Sequence, residues 1–309
     1  MGKVRRQHYV PRMYLKRFGY GKKGDEYITV LKLDTGTVLD NRKVENFAVA
    51  NFFYDIDKEQ LREILKEDLT VFPELCDSEK LSDEQFTEHA LSREESAVSK
   101  MLNELQEDLS KIHESSNRSL MIIFLHSLAY RTKQFRNQMD AINNKTKEVL
   151  TSMCDNMGLD EKLKRKTLEA NCSTGINTQL YQILGIKPVL KTMQMLQNNY
   201  DWYEAVNNTD LDFVISDNPA QAVRLGFNDI CFPISCNKAI IFRIKDKTEP
   251  LISKDMPVNG VINLSLNSVI AYNSMQLAEG QNFLFGTSNA IKCMKKLWEV
   301  SQTIRKKRK

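Results

Sequence analysis

His8 opens the sequence with a residue suited to acid–base chemistry. Histidine is the side chain best placed for proton transfer near neutral pH. It lies within residues 1–23, which carry eight Lys or Arg and no acid. Far along the chain, Arg131 follows Leu128, Ala129 and Tyr130 in an apolar stretch. A guanidinium in such a setting needs a carboxylate, a group of carbonyls or a phosphate ligand. Further on, Ile215-Ser216-Asp217-Asn218-Pro219 ends a short apolar run in a sharp polar turn. Strand ends that feed such turns are where mixed folds present functional side chains.

These residues also have plainer readings. Ser, Asp, Asn and Pro are ordinary turn formers, and a histidine beside a tyrosine is commonly packed or on the surface. Arg131 could complete an internal salt bridge with Glu94 or Glu95 of the preceding helix. His126 is excluded as its partner on one helix, because five residues at about 100° each set the two about 140° apart. As a candidate site, His8 would be a general acid or base. Asp217 would orient it or bind a metal, and Asn218, Arg131 and Arg12 would hold an anionic group.

Several familiar machines are missing. The sequence has no G-x-x-x-x-G-K-[ST] and no G-x-S-x-G, and Gly19, Gly21 and Gly24, which have the G-x-G-x-x-G spacing, end a short helix instead of joining a strand to a helix, so no glycine loop for phosphates in its usual setting and no nucleophile elbow is visible. Asp160-Glu161-Lys162 is the only acid-x-Lys, and it falls at a helix start, which argues against a restriction-type nuclease. Cys76, Cys154, Cys172, Cys231, Cys236 and Cys293 are scattered and, with four histidines, assemble no zinc spacing. They read as small buried residues, and no cofactor is specified.

The elements that must position these residues follow from periodicity. Pro11 pushes Val10 toward an extended conformation and can begin a short helix bearing Met13, Tyr14 and Phe18. Residues 27–33 and 37–39, joined by Asp34-Thr35-Gly36, predict a β-hairpin. Asn46 to Tyr54 reads as an aromatic loop laid across the sheet. Helices are expected over Gln60–Phe72, after Ser82-Asp83-Glu84-Gln85 as a capping box, and over one long central stretch from Ser116 to about Asn144. Others follow near 160–171, 177–184 and 188–198. Trp202–Val206, Phe213–Ser216, Ile230–Ile234 and Ala239–Ile244 read as strands, and Ser265–Leu277 and Ala290–Ile304 as helices. The fold class is α+β: a mixed sheet built from both chain ends with a large helical insertion. One domain is expected over 1–309, comprising the N-terminal motif and hairpin (1–56), a helical region (57–200), a strand-rich region with C-terminal helices (201–304) and a basic tail (305–309).

With 41% hydrophobic and 27% charged residues, the chain is an ordinary globular one rather than a disordered one. Its longest apolar run, Leu120–Leu125, is too short to span a membrane, and no signal peptide is expected, so the localisation expected is cytoplasmic. Taking the eight N-terminal cations and the five of residues 305–309 from the net +4 leaves residues 24–304 at −9. Basic ends on an acidic body are either solvated tails or attractors of phosphate.

His8-Tyr9-Val10-Pro11 with Tyr14-Leu15 and Phe18, Asn51-Phe52-Phe53-Tyr54, Glu95, Arg131 and Ile215-Ser216-Asp217-Asn218-Pro219 together resemble the motifs of a bacterial family. The family is domain of unknown function four-two-three-eight. The resemblance spans most of the chain, with its first and last blocks the most specific. Ile215 stands where the family has threonine. The resemblance implies membership without an activity. It also implies that His8, Arg131, Asp217 and Asn218 meet in space. Two functions are expected from these readings. One is a hydrolase of a phosphate-rich substrate such as nucleic acid, a candidate defence nuclease. The other is a non-catalytic nucleic-acid or protein-binding module.

Overall fold

A computed structural model of the chain describes residues 3–22, 25–66, 68, 85–245 and 251–307. The N-terminal part carries β1 (Arg6–His8), α1 (Arg12–Leu15), β2 (Tyr20–Lys22), β3 (Asp25–Lys32), β4 (Val38–Lys43), β5 (Val49–Asn51) and α2 (Lys58–Ile64). The helical region follows: α3 (Phe86–Glu107), α4 (Ser115–Tyr130), α5 (Lys133–Asn156), α6 (Glu161–Asn171), α7 (Gly175–Leu184) and α8 (Ile186–Asn199). The last third contains β6 (Tyr200–Asn207), β7 (Ile215–Ser216), α9 (Gln221–Leu225), β8 (Asp229–Pro233), β9 (Lys238–Ile244), β10 (Val261–Leu264), α10 (Leu266–Glu279), β11 (Phe283–Gly286) and α11 (Ser288–Lys307). This is an α+β fold with a large helical region in its middle. The proposed capping box at Ser82, the end of the first predicted helix near Phe72, Cys76, and the side chains of the basic tail lie outside the described residues.

A sheet is built from both chain ends, as the alternating patterns of 27–39 and 213–216 require. β3 pairs with β4 along one edge and with β2 and β11 along the other, and β11 continues to β7, all antiparallel. Gly36 turns the hairpin at φ 70°, and a Cβ there would meet the Trp298 ring. The strands after Tyr200 do not all join this sheet, in contrast to the single sheet expected. β6, β8, β9 and β10 form a second one in the order β10-β6-β9-β8, with β10 and β6 parallel. β9 explains the separation. Ala239, Ile240, Ile241 and Phe242 are all fully buried, so both faces of that strand are covered by protein.

Two further expectations are corrected. Asn46–Tyr54 is more than a loop, because β5 pairs antiparallel with β1, setting His8 opposite Val49. The long central helix is two helices: α4 ends at Tyr130, and Thr132 caps α5 by accepting a bond from the Phe135 amide. The chain therefore breaks at Arg131-Thr132, and Arg131 closes α4 rather than lying within it.

The N-terminal motif is locked to the second sheet. Tyr14 is fully buried, its hydroxyl donates to the Pro233 carbonyl at 2.7 Å, and its ring stacks on Phe232 at 5.3 Å. Phe18 and Phe124 meet the same ring edge-on. Rings of this size dominate core energetics and fix orientation through their quadrupoles. The motif is thereby held against the Arg131 break. No helix among the described residues is long and apolar enough to cross a membrane.

Candidate active site

The break between α4 and α5 organises the polar interior. Arg131 is 1% exposed. One terminal nitrogen, Nη2, donates to the His8 carbonyl at 2.7 Å and to Glu95 Oε1 at 2.8 Å, and Nε donates to the Tyr54 hydroxyl at 3.3 Å. The Tyr54 hydroxyl oxygen in turn lies within donor reach of the Arg131 and His8 carbonyls, at 3.2 and 3.4 Å. Burial opposes the charge on Arg131, but the fields of Tyr54, Glu95 and Glu94 more than offset this, and its pKa is raised. Its second terminal nitrogen, Nη1, makes no hydrogen bond within the protein.

His8 is presented to this cluster by β1. β5, its partner strand, is bracketed by Ala48 and Phe52, both at φ 50°. Left-handed backbone at non-glycine residues costs of order 1–3 kcal/mol and persists only where surroundings enforce it. Gln7, fully buried, adds its own clamp, accepting from the Tyr54 amide at 2.7 Å and donating to Asp55 at 2.5 Å. The buried Nε2 of the His8 ring has no partner within the protein, and the nearby Glu45 backbone favours the charged ring. Burial first, and then the Arg131 charge, lowers its pKa to about 4. The imidazole is therefore neutral at neutral pH.

Two carboxyls face the same guanidinium from α3. Burial pushes Glu88 up to about 7, partly offset by Arg131. Glu94, packed against Ser127, also rises to about 7 through burial, again partly offset by Arg131. Groups shifted toward neutrality around one buried charge are the pattern of sites that move protons.

Asp217 and Asn218 sit on the other side of the break. Asp217 lies near enough to Tyr9, the residue after His8, for its charge to raise the tyrosine pKa. Its carboxylate accepts from the Gln281 amide at 2.8 Å, the Asn282 amide at 3.0 Å and Asn282 Nδ2 at 2.9 Å. Burial raises its pKa and those bonds oppose the rise. Asn218 donates through Nδ2 to Gln134 and Gln221, while its buried Oδ1 has no partner within the protein. Gln134 stands in the first turn of α5, and Lys133 beside it lies 5.2 Å from the Tyr9 ring. The structure thus brings His8 and Arg131 into direct contact and sets Asp217 and Asn218 against the neighbouring residues Tyr9 and Gln134. Among the described residues, no hydrogen bond joins His8 or Arg131 to Asp217 or Asn218.

Arg12 begins α1 and pairs with Glu26 at 3.2 Å and Glu45 at 3.8 Å. Its neighbours are similarly engaged: Lys16 with Glu26, Lys3 with Asp55, and Arg17 with the Leu102 carbonyl and Asn103. Three cations of the acid-free N-terminal segment, Lys3, Arg12 and Lys16, are therefore paired in the fold with acids from elsewhere in the chain. The sequence reading did not single out Tyr54, Glu88, Gln7 or Gln134. Tyr54 lay within the aromatic block that it did mark. Glu88 carried no distinguishing signal on a helix rich in acids. Among the described residues, no group of three or more His, Cys, Asp or Glu side chains is placed to hold a metal ion.

Fold and site together define an α+β protein in which an N-terminal His-Tyr-Val-Pro strand is clamped to a helix break by a buried arginine. The chain belongs to the family described as "Protein of unknown function (DUF4238)", whose model matches residues 6–290. No curated protein and no solved structure matches it.

Proposed function

We propose that the chain is a hydrolase of phosphate-bearing substrates, with nucleic acid as the first class to test and the Arg131 cluster as its acid–base centre. One observation carries the reading: His8, Glu88 and Glu94 are all displaced toward their neutral forms around a single buried guanidinium. A neutral imidazole with an unbonded Nε2 can accept a proton from water or a hydroxyl. A carboxyl held near 7 can return one to a leaving oxygen at neutral pH. Arg131 Nη1 offers a donor to the negative charge that develops during hydrolysis. Asp217 is assigned a positioning role in this scheme, because its oxygens already hold the 281–282 turn.

Purified protein incubated with single-stranded RNA, single-stranded DNA and a chromogenic phosphodiester tests the proposal. His8→Ala and Glu94→Gln are expected to lower kcat/KM by roughly 10²–10⁴-fold, the usual contribution of a general acid or base. Equal turnover by wild type and both variants would reject the centre. Salt-sensitive binding of nucleic acid with no turnover would instead make the chain a non-catalytic binding module.

A further inference from the structure

We infer that the cleft between α4, α7, α8 and α9 binds a phosphate monoester carried on a planar ring, a ligand of mononucleotide size. The cavity measures about 480 Å³, within the range of roughly 300–1,000 Å³ typical of small-molecule sites. Lys187, Lys191 and Arg224 are among its lining side chains and no Asp or Glu lines it among the described residues, with Lys191 and Arg224 carrying the attraction for an anion. Such a cleft concentrates anions.

The cations come from two walls. Lys187 and Lys191 stand four residues apart in the first two turns of α8 and so share a face. The α8 terminus does not itself supply the ligand's donors, because the Ile186 amide already donates to Asp68 at 3.0 Å. On the facing wall, Arg224 donates to Gln138 at 3.1 Å and lies 5.4 Å from the Phe135 ring, and its Nε makes no hydrogen bond within the protein. Glu279, the carboxyl whose charge would act on Arg224, is pushed up to about 8 by burial. At neutral pH that carboxyl is largely protonated and leaves the guanidinium uncompensated.

The floor is neutral and fixed. His126, 1% exposed, bonds the Gln182 carbonyl through Nε2 at 2.6 Å and therefore carries its proton there. Its Nδ1 accepts from the Thr192 hydroxyl at 2.8 Å. Tyr130 is wedged between His126 and Phe135, with ring centroids 4.7 and 5.0 Å away. With Tyr181 it gives the cleft an aromatic side. Charge at the rim with aromatic surface beneath it matches a ligand with a phosphate at one end and a flat ring at the other. None of these residues belongs to the proposed acid–base centre, so the inference stands or falls separately.

The test is calorimetric titration of the full chain with AMP, with inorganic phosphate and adenosine as the separate halves. Saturable AMP binding with Kd below about 1 mM is expected, and each half should bind at least about tenfold more weakly. Lys191→Ala and Arg224→Gln should each weaken AMP binding roughly tenfold, the loss of one charge-assisted contact. Lys191 is exposed, so its replacement leaves the fold intact, and melting temperature verifies the Arg224 variant. A 5′-phosphorylated dinucleotide and its 5′-hydroxyl counterpart separate a free mononucleotide from the end of a nucleic acid, since both sources offer the same phosphate. No saturable binding of AMP, GMP, CMP or UMP, or binding unchanged in both variants, would overturn the inference.

Discussion

Replacing Arg131 with Met tests whether the helix break is the organising centre of the polar interior. The substitution keeps much of the volume and removes two charge-assisted bonds, to the His8 carbonyl at 2.7 Å and to Glu95 at 2.8 Å, as well as the weaker one to Tyr54. Removing one partner of a buried ion pair costs about 3–5 kcal/mol, because the other charge is left uncompensated. The Glu95 side chain is 25% exposed and can partly rehydrate, which places the expected loss at about 3–4 kcal/mol. At about 2 °C per kcal/mol for a chain of this size, the melting temperature should fall by about 6–8 °C. Glu95→Gln leaves the guanidinium its carbonyl and hydroxyl partners and should cost about 1–2 kcal/mol. Urea unfolding of the wild type, both single variants and the double variant gives the coupling directly, and the double should lose less than the sum of the singles. A loss below about 1 kcal/mol for Arg131→Met would refute the reasoning, since no buried arginine with these contacts could be removed so cheaply.

Three other outcomes follow from the same geometry. Thr132→Ala removes the cap of α5 at a fully buried position and should cost about 1–2 kcal/mol in chemical denaturation, with Thr132→Ser recovering most of it. Asp217→Ala strips the acceptor from the Gln281 and Asn282 amides. Hydrogen exchange should speed up at those two amides while the β6–β9 ladder keeps its protection, and unchanged rates there would contradict the assigned role. Glu279 holds its proton up to about 8 when folded, against an ordinary value of 4.5. Between those two values the folded state binds a proton that the unfolded state has released, so its contribution to stability falls as pH rises through that window. Glu88 and Glu94 act in the same direction up to about 7, and His8 acts oppositely between about 4 and 6.5. Urea midpoints at pH 5 and pH 8 should therefore converge in Glu279→Gln relative to wild type, and an unchanged difference would remove Glu279 from the account.

The hairpin over residues 25–43, the helices between Asp160 and Tyr200 and the strands β6, β8 and β9 were legible because each has a clear period and a turn residue at its end. The break at Arg131 was not. No glycine or proline marks it, the apolar pattern of α4 runs up to Ala129, and Thr132 lacks the Glu or Gln three residues on that would complete a capping box, since Phe135 stands there. β1 and β5 have three residues each, too few for alternation to register. β11, Phe-Leu-Phe-Gly, carries no polar face to alternate with. The division into two sheets depends on which strand each edge meets, a long-range choice that local patterning leaves open.

Residue types pointed to His8 and Arg131, yet the contact between them uses the His8 carbonyl, an acceptor that every residue possesses and no sequence motif displays. The Asp217 carboxylate likewise finds backbone amides, so its role depends on where residues 281 and 282 pass and not on what they are. Cations behave in the opposite way. The N-terminal run looked like a phosphate attractor because its own stretch contains no acid, but folding brings Glu26, Glu45 and Asp55 to it. Lys187, Lys191 and Arg224 drew no notice, being two ordinary lysines on an exposed helix face and an arginine 33 residues beyond the second of them. In the fold they line one cleft whose described lining contains no carboxylate. What governs anion attraction is the balance of charge after the chain has closed, and here that balance moves the candidate anion site from the end of the sequence to the junction of α8 and α9.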